Sequence, residues 1–508
     1  MNQILISSGF PWLNVLVALP LAGALILLVL SRDALARWLA LAITILNALC
    51  TLPLLSGFDR SSTAFQFAHL YAWIPQLRIN YAVGVDGISI LLVALTTLIM
   101  PLCVLASWTY IQKRVTAFMV CLLVMESAMI GVFIALDFVL FYIFWEFMLI
   151  PMYLLIAIWG GPRKNYASIK FFLYTLAGSV LLLVAIIALY LHNGTFFIPS
   201  MMWREYGLGF QLLVFLAFFL AFAIKVPMFP FHTWLPAAHV EAPTAGSVLL
   251  ASILLKMGTY GFLRFCLPIT PDASLLLATP LLWLSIAGII YGGFTALAQQ
   301  DMKKLIAYSS VGHMGFVTLG IFVFNLHGLQ GAMLQMINHG ITTGALFLCI
   351  GMIYERNHSR ELTHAAGLGP YMPWFATFFT LFSLSSFAFP GTNSFIGEFL
   401  VLAGSFARKP EVALAAIPGA LLAAAYMLRL LQKVIWGGVN NPDQSGMKDL
   451  HLREILVLAP LLLFVFWIGL GPQPFLDYMN PTLADLLQQL QQWQQAHPGT
   501  GLNWSIFQ

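Results

Sequence analysis

The chain has 508 residues, 60% of them hydrophobic and only 8% charged, with a net charge of +4 and a mean hydropathy of +0.89. Soluble domains carry about 25% charged residues, so a soluble globular protein is excluded. The positive charge is small and scattered, so no nucleic-acid partner is implied.

Continuous apolar runs of about 20 residues predict an all-α polytopic membrane protein. A barrel would show alternating segments of roughly ten residues. In chain order, the first spans fall at 13–31, 36–56 and 86–108, with a long loop over 56–85. The first charge is Arg32, after the first apolar run, whereas a signal peptide begins with a basic stretch. No cleavable signal is therefore expected.

Spans four and five, at 116–136 and 138–159, carry Glu126 in "LLVMESAMIGV" and Glu146 in "FYIFWEFMLIP". Asp137 between them reads as a helix N-cap. Span six covers 168–191 and span seven 209–230. Span seven ends in "FAIKVPMFP", where Lys225 is followed by Pro227 and Pro230. Proline removes a backbone hydrogen bond and clashes with the preceding turn, so the helix should unwind just after Lys225.

His232, His239 and Glu241 follow in a loop expected near a membrane surface, where solvation costs little. Their spacing is too weak to indicate a metal site. Span eight, at 243–266, holds Lys256 in "ASILLKMGTYG". Spans nine to eleven fall at 278–299, 303–324 and 328–354, with His313 in "YSSVGHMGFV" and His339 in "QMINHGITTG". Span twelve, at 373–406, is unusually long and carries Pro390 and Gly391 shortly before Glu398. Spans thirteen and fourteen fall at 411–437 and 453–471. The tail "TLADLLQQLQQWQQAHPG" sets Leu483, Leu486, Leu487, Leu490 and Trp493 at helical spacing, which predicts an amphipathic surface helix.

About fourteen membrane helices result. Loops after odd-numbered spans hold fifteen Lys and Arg, and those on the opposite side six, with Arg264 counted among the six. The positive-inside rule makes the odd-numbered side cytoplasmic and both termini periplasmic. These 21 of the 23 Lys and Arg fall in or near loops, and the remaining two, Lys225 and Lys256, sit inside spans. The two interrupted helices, seven and twelve, sit five apart. They suggest inverted five-helix repeats, dividing the chain into 1–115, 116–270, 271–440 and 441–508. The five cysteines form no CxxC pair, so neither zinc nor an iron–sulfur cluster is indicated.

A lysine at the centre of a membrane helix costs about 2.5–3.5 kcal/mol on insertion scales. Each deep group has a bland role open to it. A Glu–Lys pair can lock two helices, a membrane histidine can serve packing, and Glu126 can hold a polar contact with a neighbouring helix. The set as a whole is an expensive way to pack. Glu, Lys and His can all exchange protons, which suits a relay.

These residues carry a resemblance. "FWEFMLIPMYLLIAIWG", "IKVPMFPFHTWLPAAHVEAPTAGSVLLASILLKMGTYGFLRF", "QQDMKKLIAYSSVGHMGF" and "FPGTNSFIGEF" resemble the antiporter-like subunits of respiratory complex I, NADH:quinone oxidoreductase. The resemblance runs from the third span to the fourteenth. Glu398, where chains L and N carry lysine, and the short tail point to the chain M type, the counterpart of mitochondrial subunit 4. The resemblance implies a proton-translocating subunit of a bacterial inner membrane, without a redox centre of its own. Flavin, iron–sulfur clusters and quinone would belong to other subunits, and neighbouring antiporter-like subunits would be partners.

It also implies roles. Glu146 and Lys225 would form a charge pair, and Lys256 would be the central relay lysine. His313 and His339 would carry a midplane path, Glu398 would stand towards the exit, and Glu126 would be a further acidic position. Mrp-type sodium/proton antiporters, membrane-bound hydrogenases and photosynthetic NDH-1 complexes share many of these motifs and stay open as alternatives. A haem-binding carrier using His313 and His339 is disfavoured, because cytochrome b-like proteins usually place two ligating histidines on one helix.

Overall fold

The computed structural model describes residues 5–7, 9–30, 32–438 and 447–497. The chain is a bundle of membrane-length helices. They are α1 (Trp12–Leu30), α2 (Asp33–Gly57), α3 (Ile90–Ala106), α4 (Val115–Ile134), α5 (Phe138–Trp159), α6 (Lys164–Asn193) and α7a (Leu208–Lys225), with the short continuation α7b (Trp234–Glu241). Then come α8 (Thr244–Ile269), α9 (Pro271–Ala298), α10 (Met302–Phe322), α11 (Leu326–Asn357), α12a (Pro373–Ser386), α12b (Asn393–Arg408), α13 (Pro410–Val434), α14 (Leu452–Leu470) and the tail helix α15 (Gln473–Ala496).

Twelve of these are long and apolar enough to cross a membrane alone. The 17-residue α3 and the broken pair α12a–α12b complete fourteen passes. Hydrogen bonds between loops confirm the alternation. On the odd-numbered face, Thr109 bonds Glu355, Arg453 bonds Thr109, and Glu241 accepts from the Arg163 amide. On the even-numbered face, Asn80 N donates to Asp137, Gln211 to Asp272, and Trp493 to Asp272. Asp137 also accepts from Val139 N at 2.9 Å, so it does cap α5.

The loop after α2 holds an element that hydropathy alone does not predict. Strands β1 (Gln66–Ile74) and β2 (Ile79–Val85) form an antiparallel hairpin. Leu136 N donates to Ala82 O at 2.8 Å, tying the hairpin to the α4–α5 turn. The tail helix also does more than lie on a surface. Met479, Leu483, Leu486, Leu490 and Trp493 are buried against the bundle. Pro498 and Gly499 of the quoted tail, and residues 439–446 of the loop before α14, lie outside the described residues.

Helix α7 breaks where its prolines fall. Pro227 cannot donate to Ala223 O, and Met228 N takes that carbonyl at 2.8 Å instead. The indole of Trp234, on α7b, donates to Ile224 O at 2.8 Å. Backbone groups freed at membrane depth are thus satisfied inside the protein. Span twelve breaks over 387–392, around Gly391 at φ +91°, a left-handed conformation suited to glycine.

Helix α8 is the buried axis. Every residue from 244 to 269 is buried, including Thr244, Ser247, Ser252, Lys256, Thr259 and Arg264, so the helix is surrounded by protein on all sides. Two π-helical turns, Leu250–Leu254 and Phe262–Cys266, flank the Lys256 segment. Gly258 allows α8 to approach the end of α7a. A Cβ there would stand 2.7 Å from Phe222 O and 3.1 Å from Val226 N.

Candidate proton-transfer site

Lys256 is fully buried on α8. Its side chain runs back towards the helix N-terminus, as long side chains on helices do, and Nζ donates to Ala251 O at 2.5 Å. On α11, His339 Nδ1 lies 2.6 Å from the same Nζ. The ring of His339 is 5.8 Å, centroid to centroid, from that of His313 on α10. His313 Nδ1 lies 2.8 Å from Glu398 Oε1 on α12b. Gln335 Nε2 donates to the same oxygen at 3.0 Å, and Tyr426 OH stands 3.4 Å from His313 Nε2. Four of the predicted residues, on four helices, thus form one buried row.

Close glycine contacts permit this row. A Cβ at Gly397 would stand 2.5 Å from Gln335 Oε1. One at Gly340 would stand 2.9 Å from Ser252 O, where α11 crosses α8.

The other predicted residues lie apart. Lys225, 1% exposed, has no hydrogen-bond partner at Nζ, which lies 4.9 Å over the Trp145 ring. Glu146 is half-buried on α5, and Oε1 has no partner. No ion pair within 4.0 Å joins the two among the described residues. The expected Glu146–Lys225 contact is therefore open in this structure. Glu126 is fully buried on α4 and faces α2, where Asn47 Nδ2 donates to its Oε1 at 2.8 Å.

Several sequence expectations need correction. His232, His239 and Glu241 are 3%, 0% and 4% exposed, not solvated in a surface loop. The broken α7 turns His232 towards Tyr291 on α9 and Tyr308 on α10, and His239 towards α11, while Glu241 packs on the α5–α6 loop at the Arg163 amide. His239 stacks on Phe347 at 4.5 Å, and neither of its ring nitrogens has a partner. Lys303, counted among loop cations, is buried in the first turn of α10 and donates to Ala242 O at 2.8 Å. It stands 3.4 Å from Ser247 Oγ. Arg264 belongs to no loop either. It lies inside α8 in a buried ion pair with Asp86. The signals that could have found these residues were the short distance of His239 from Pro230 at the α7 break and the place of Arg264 before the end of an apolar run; for Lys303, far along the chain from that break, the sequence holds none.

Residues 135–423 match the family model described as NADH:quinone oxidoreductase/Mrp antiporter, TM, and residues 17–132 match NADH-ubiquinone oxidoreductase chain 4, amino terminus. The chain is 48% identical to NADH-quinone oxidoreductase subunit M of Rhodobacter capsulatus, over 94% of this chain and 96% of that protein. The chain belongs to the subunit M/chain 4 family. It is 43% identical to NADH-ubiquinone oxidoreductase chain 4 of Marchantia polymorpha, over 94% and 97% of the two chains. A chain of respiratory complex I from Thermus thermophilus superposes with a TM-score of 0.87 at 31% identity, covering 94% of this chain and 99% of that one. A chain of the Mrp complex from Dietzia sp. shares the fold, with a TM-score of 0.80 at 20% identity, covering 96% and 56%. As a member of the subunit M family, this chain is an antiporter-like membrane subunit of a proton-translocating NADH:quinone oxidoreductase.

Proposed function

We propose that the chain moves protons along the buried row Lys256, His339, His313 and Glu398, and that quinone reduction elsewhere in the complex drives the movement. The contacts of 2.6 Å and 2.8 Å at the two ends of the row, with two histidine rings between them, carry this reading. Each member can bind and release a proton. The path runs across the bundle rather than along one helix, so it follows the membrane plane.

Lys225 and Glu146 act upstream. A carboxylate beside Lys225 stabilises its charged form, whereas a buried ammonium without a counter-charge is costly. Closing and opening of that pair would hold and release a proton towards Lys256. Gly258 supports this step by keeping the end of α7a against α8. Glu126, bonded to Asn47 at the α2–α4 contact, is a side branch of the network. Closely coupled groups of this kind titrate as a set rather than singly.

The odd-numbered face would be cytoplasmic and both termini periplasmic in a bacterial inner membrane, following the excess of Lys and Arg in the odd-numbered loops. Neighbouring antiporter-like subunits would pack beside the half-buried Glu146. Flavin, iron–sulfur clusters and quinone would reside in other subunits. The breaks in α7 and α12 fit repeats over 116–270 and 271–440, flanked by 1–115 and 441–508.

The test is NADH-driven proton uptake in vesicles carrying His339→Gln in the assembled complex. The relay requires a large loss of pumping. Unchanged pumping would remove His339 from the path. Repeating the assay with and without sodium separates proton transport from sodium exchange.

A further inference from the structure

Lys225 is buried at the end of α7a, and its Nζ has no hydrogen-bond partner. Buried polar groups are nearly always satisfied in some way. What Nζ faces is the ring of Trp145 on α5, 4.9 Å from the centroid. An ammonium within about 6 Å of an aromatic centroid is attracted by the negative face of the ring, best of all by tryptophan. The attraction grows where water is excluded, and Trp145 is buried.

The ring is held in place from three helices. Trp145 Nε1 donates to Ser179 Oγ on α6 at 3.2 Å, and Ser179 Oγ donates in turn to Thr175 O at 2.8 Å. Gly178 lets α6 come close enough to α7a for this contact. A Cβ there would stand 3.1 Å from Ala221 Cα. Phe141 of α5 and Phe222 of α7a pack against the indole at centroid distances of 5.5 Å and 5.8 Å.

Trp145 and Glu146 are consecutive on α5, about 100° apart around the helix axis. The ring is buried, whereas the carboxylate is half-buried. One helix thus presents two partners for one ammonium. The structure holds Lys225 over the ring, with no ion pair to Glu146.

We propose that Trp145 is a positioning residue for proton transfer, whose ring seats the Lys225 ammonium whenever the Glu146–Lys225 contact opens. The inference rests on the upstream role given to Lys225 above. A buried ammonium that loses its carboxylate and gains nothing is costly. The aromatic seat offsets part of that cost. Lys225 can then leave Glu146 with its proton still bound, rather than hand it back to the carboxylate.

The test is NADH-driven proton pumping by the assembled complex in vesicles, with tryptophan analogues bearing one to four ring fluorines installed at position 145 by nonsense suppression. Fluorine leaves the shape of the indole nearly unchanged and keeps its N–H donor, but it withdraws negative charge from the ring face. Packing and the Ser179 contact therefore persist while the attraction for a cation falls in steps. The seat predicts pumping that declines with each added fluorine, by at least about fivefold with four, at a constant amount of assembled complex. Equal pumping across the series would overturn it. Lys225→Gln in the same vesicles separates the two claims. If it abolishes pumping while the fluorine series is flat, only the seat fails. Normal pumping by Lys225→Gln would remove the upstream role of Lys225, and the seat with it.

Discussion

Lys256 and His339 meet at 2.6 Å between Nζ and Nδ1, wholly inside the bundle and on different helices. A lysine and a histidine at this separation cannot comfortably both be charged, since like charges disfavour each other's charged forms. One proton shared between them satisfies the contact, and that sharing is what a transfer step requires. A positioned proton-transfer group contributes about 10²–10⁴-fold to a rate. His339→Gln should therefore cost at least about tenfold in NADH-driven pumping while leaving assembly intact on native gels.

Gly258 gives a second prediction. A methyl group at this position would press on the backbone of Phe222 and Val226 at the end of α7a. Over-packing of this kind costs about 1–3 kcal/mol. Gly258→Ala should lower the thermal stability of the solubilised complex. It should also slow pumping, because the segment carrying Lys225 is pushed from α8. Unchanged melting and pumping would show that the approach of the two helices is unimportant.

The Asp86–Arg264 pair should be structural. Both partners are buried, and Asp86 Oδ1 also accepts from Ile88 N and Ser89 N at the start of α3. Breaking a buried pair by removing one partner costs about 3–5 kcal/mol. Asp86→Asn should reduce the amount of assembled complex, and the double variant Asp86→Asn with Arg264→Met should recover part of it. A double variant no better than Asp86→Asn alone would refute the pairing explanation.

The tail helix makes a testable brace. Trp493 Nε1 donates to Asp272 Oδ1 at 2.8 Å, and Gln211 Nε2 donates to Asp272 Oδ2 at 2.7 Å. A hydrogen bond to a charged group is worth about 1.5–3 kcal/mol. Trp493→Phe keeps the ring but loses the donor, so the tail should become more sensitive to limited proteolysis. An unchanged digestion pattern would show that packing alone holds α15.

Much of this architecture could be read from the sequence, because lipid imposes simple rules. The apolar runs marked the spans, and the prolines after Lys225 marked the break in α7. Lys256, His313, His339 and Glu398 stood out as ionisable groups in apolar surroundings. Hydropathy could not separate burial in protein from exposure to water at the ends of helices. Hydropathy therefore sets His239 and Lys303 at a surface, although α7b and the start of α10 are covered by neighbouring helices. Arg264 reads as a loop residue because its partner, Asp86, is 178 residues away along the chain. The β-hairpin is invisible to hydropathy because short strands in a long loop carry no membrane signature.

The most direct test of the relay is NADH-driven proton pumping by Lys256→Arg in sealed vesicles, with complex assembly measured in parallel. Arginine keeps the positive charge but does not deprotonate in proteins. The relay predicts an assembled complex whose pumping falls by about tenfold or more. Normal pumping by an assembled Lys256→Arg complex would contradict it.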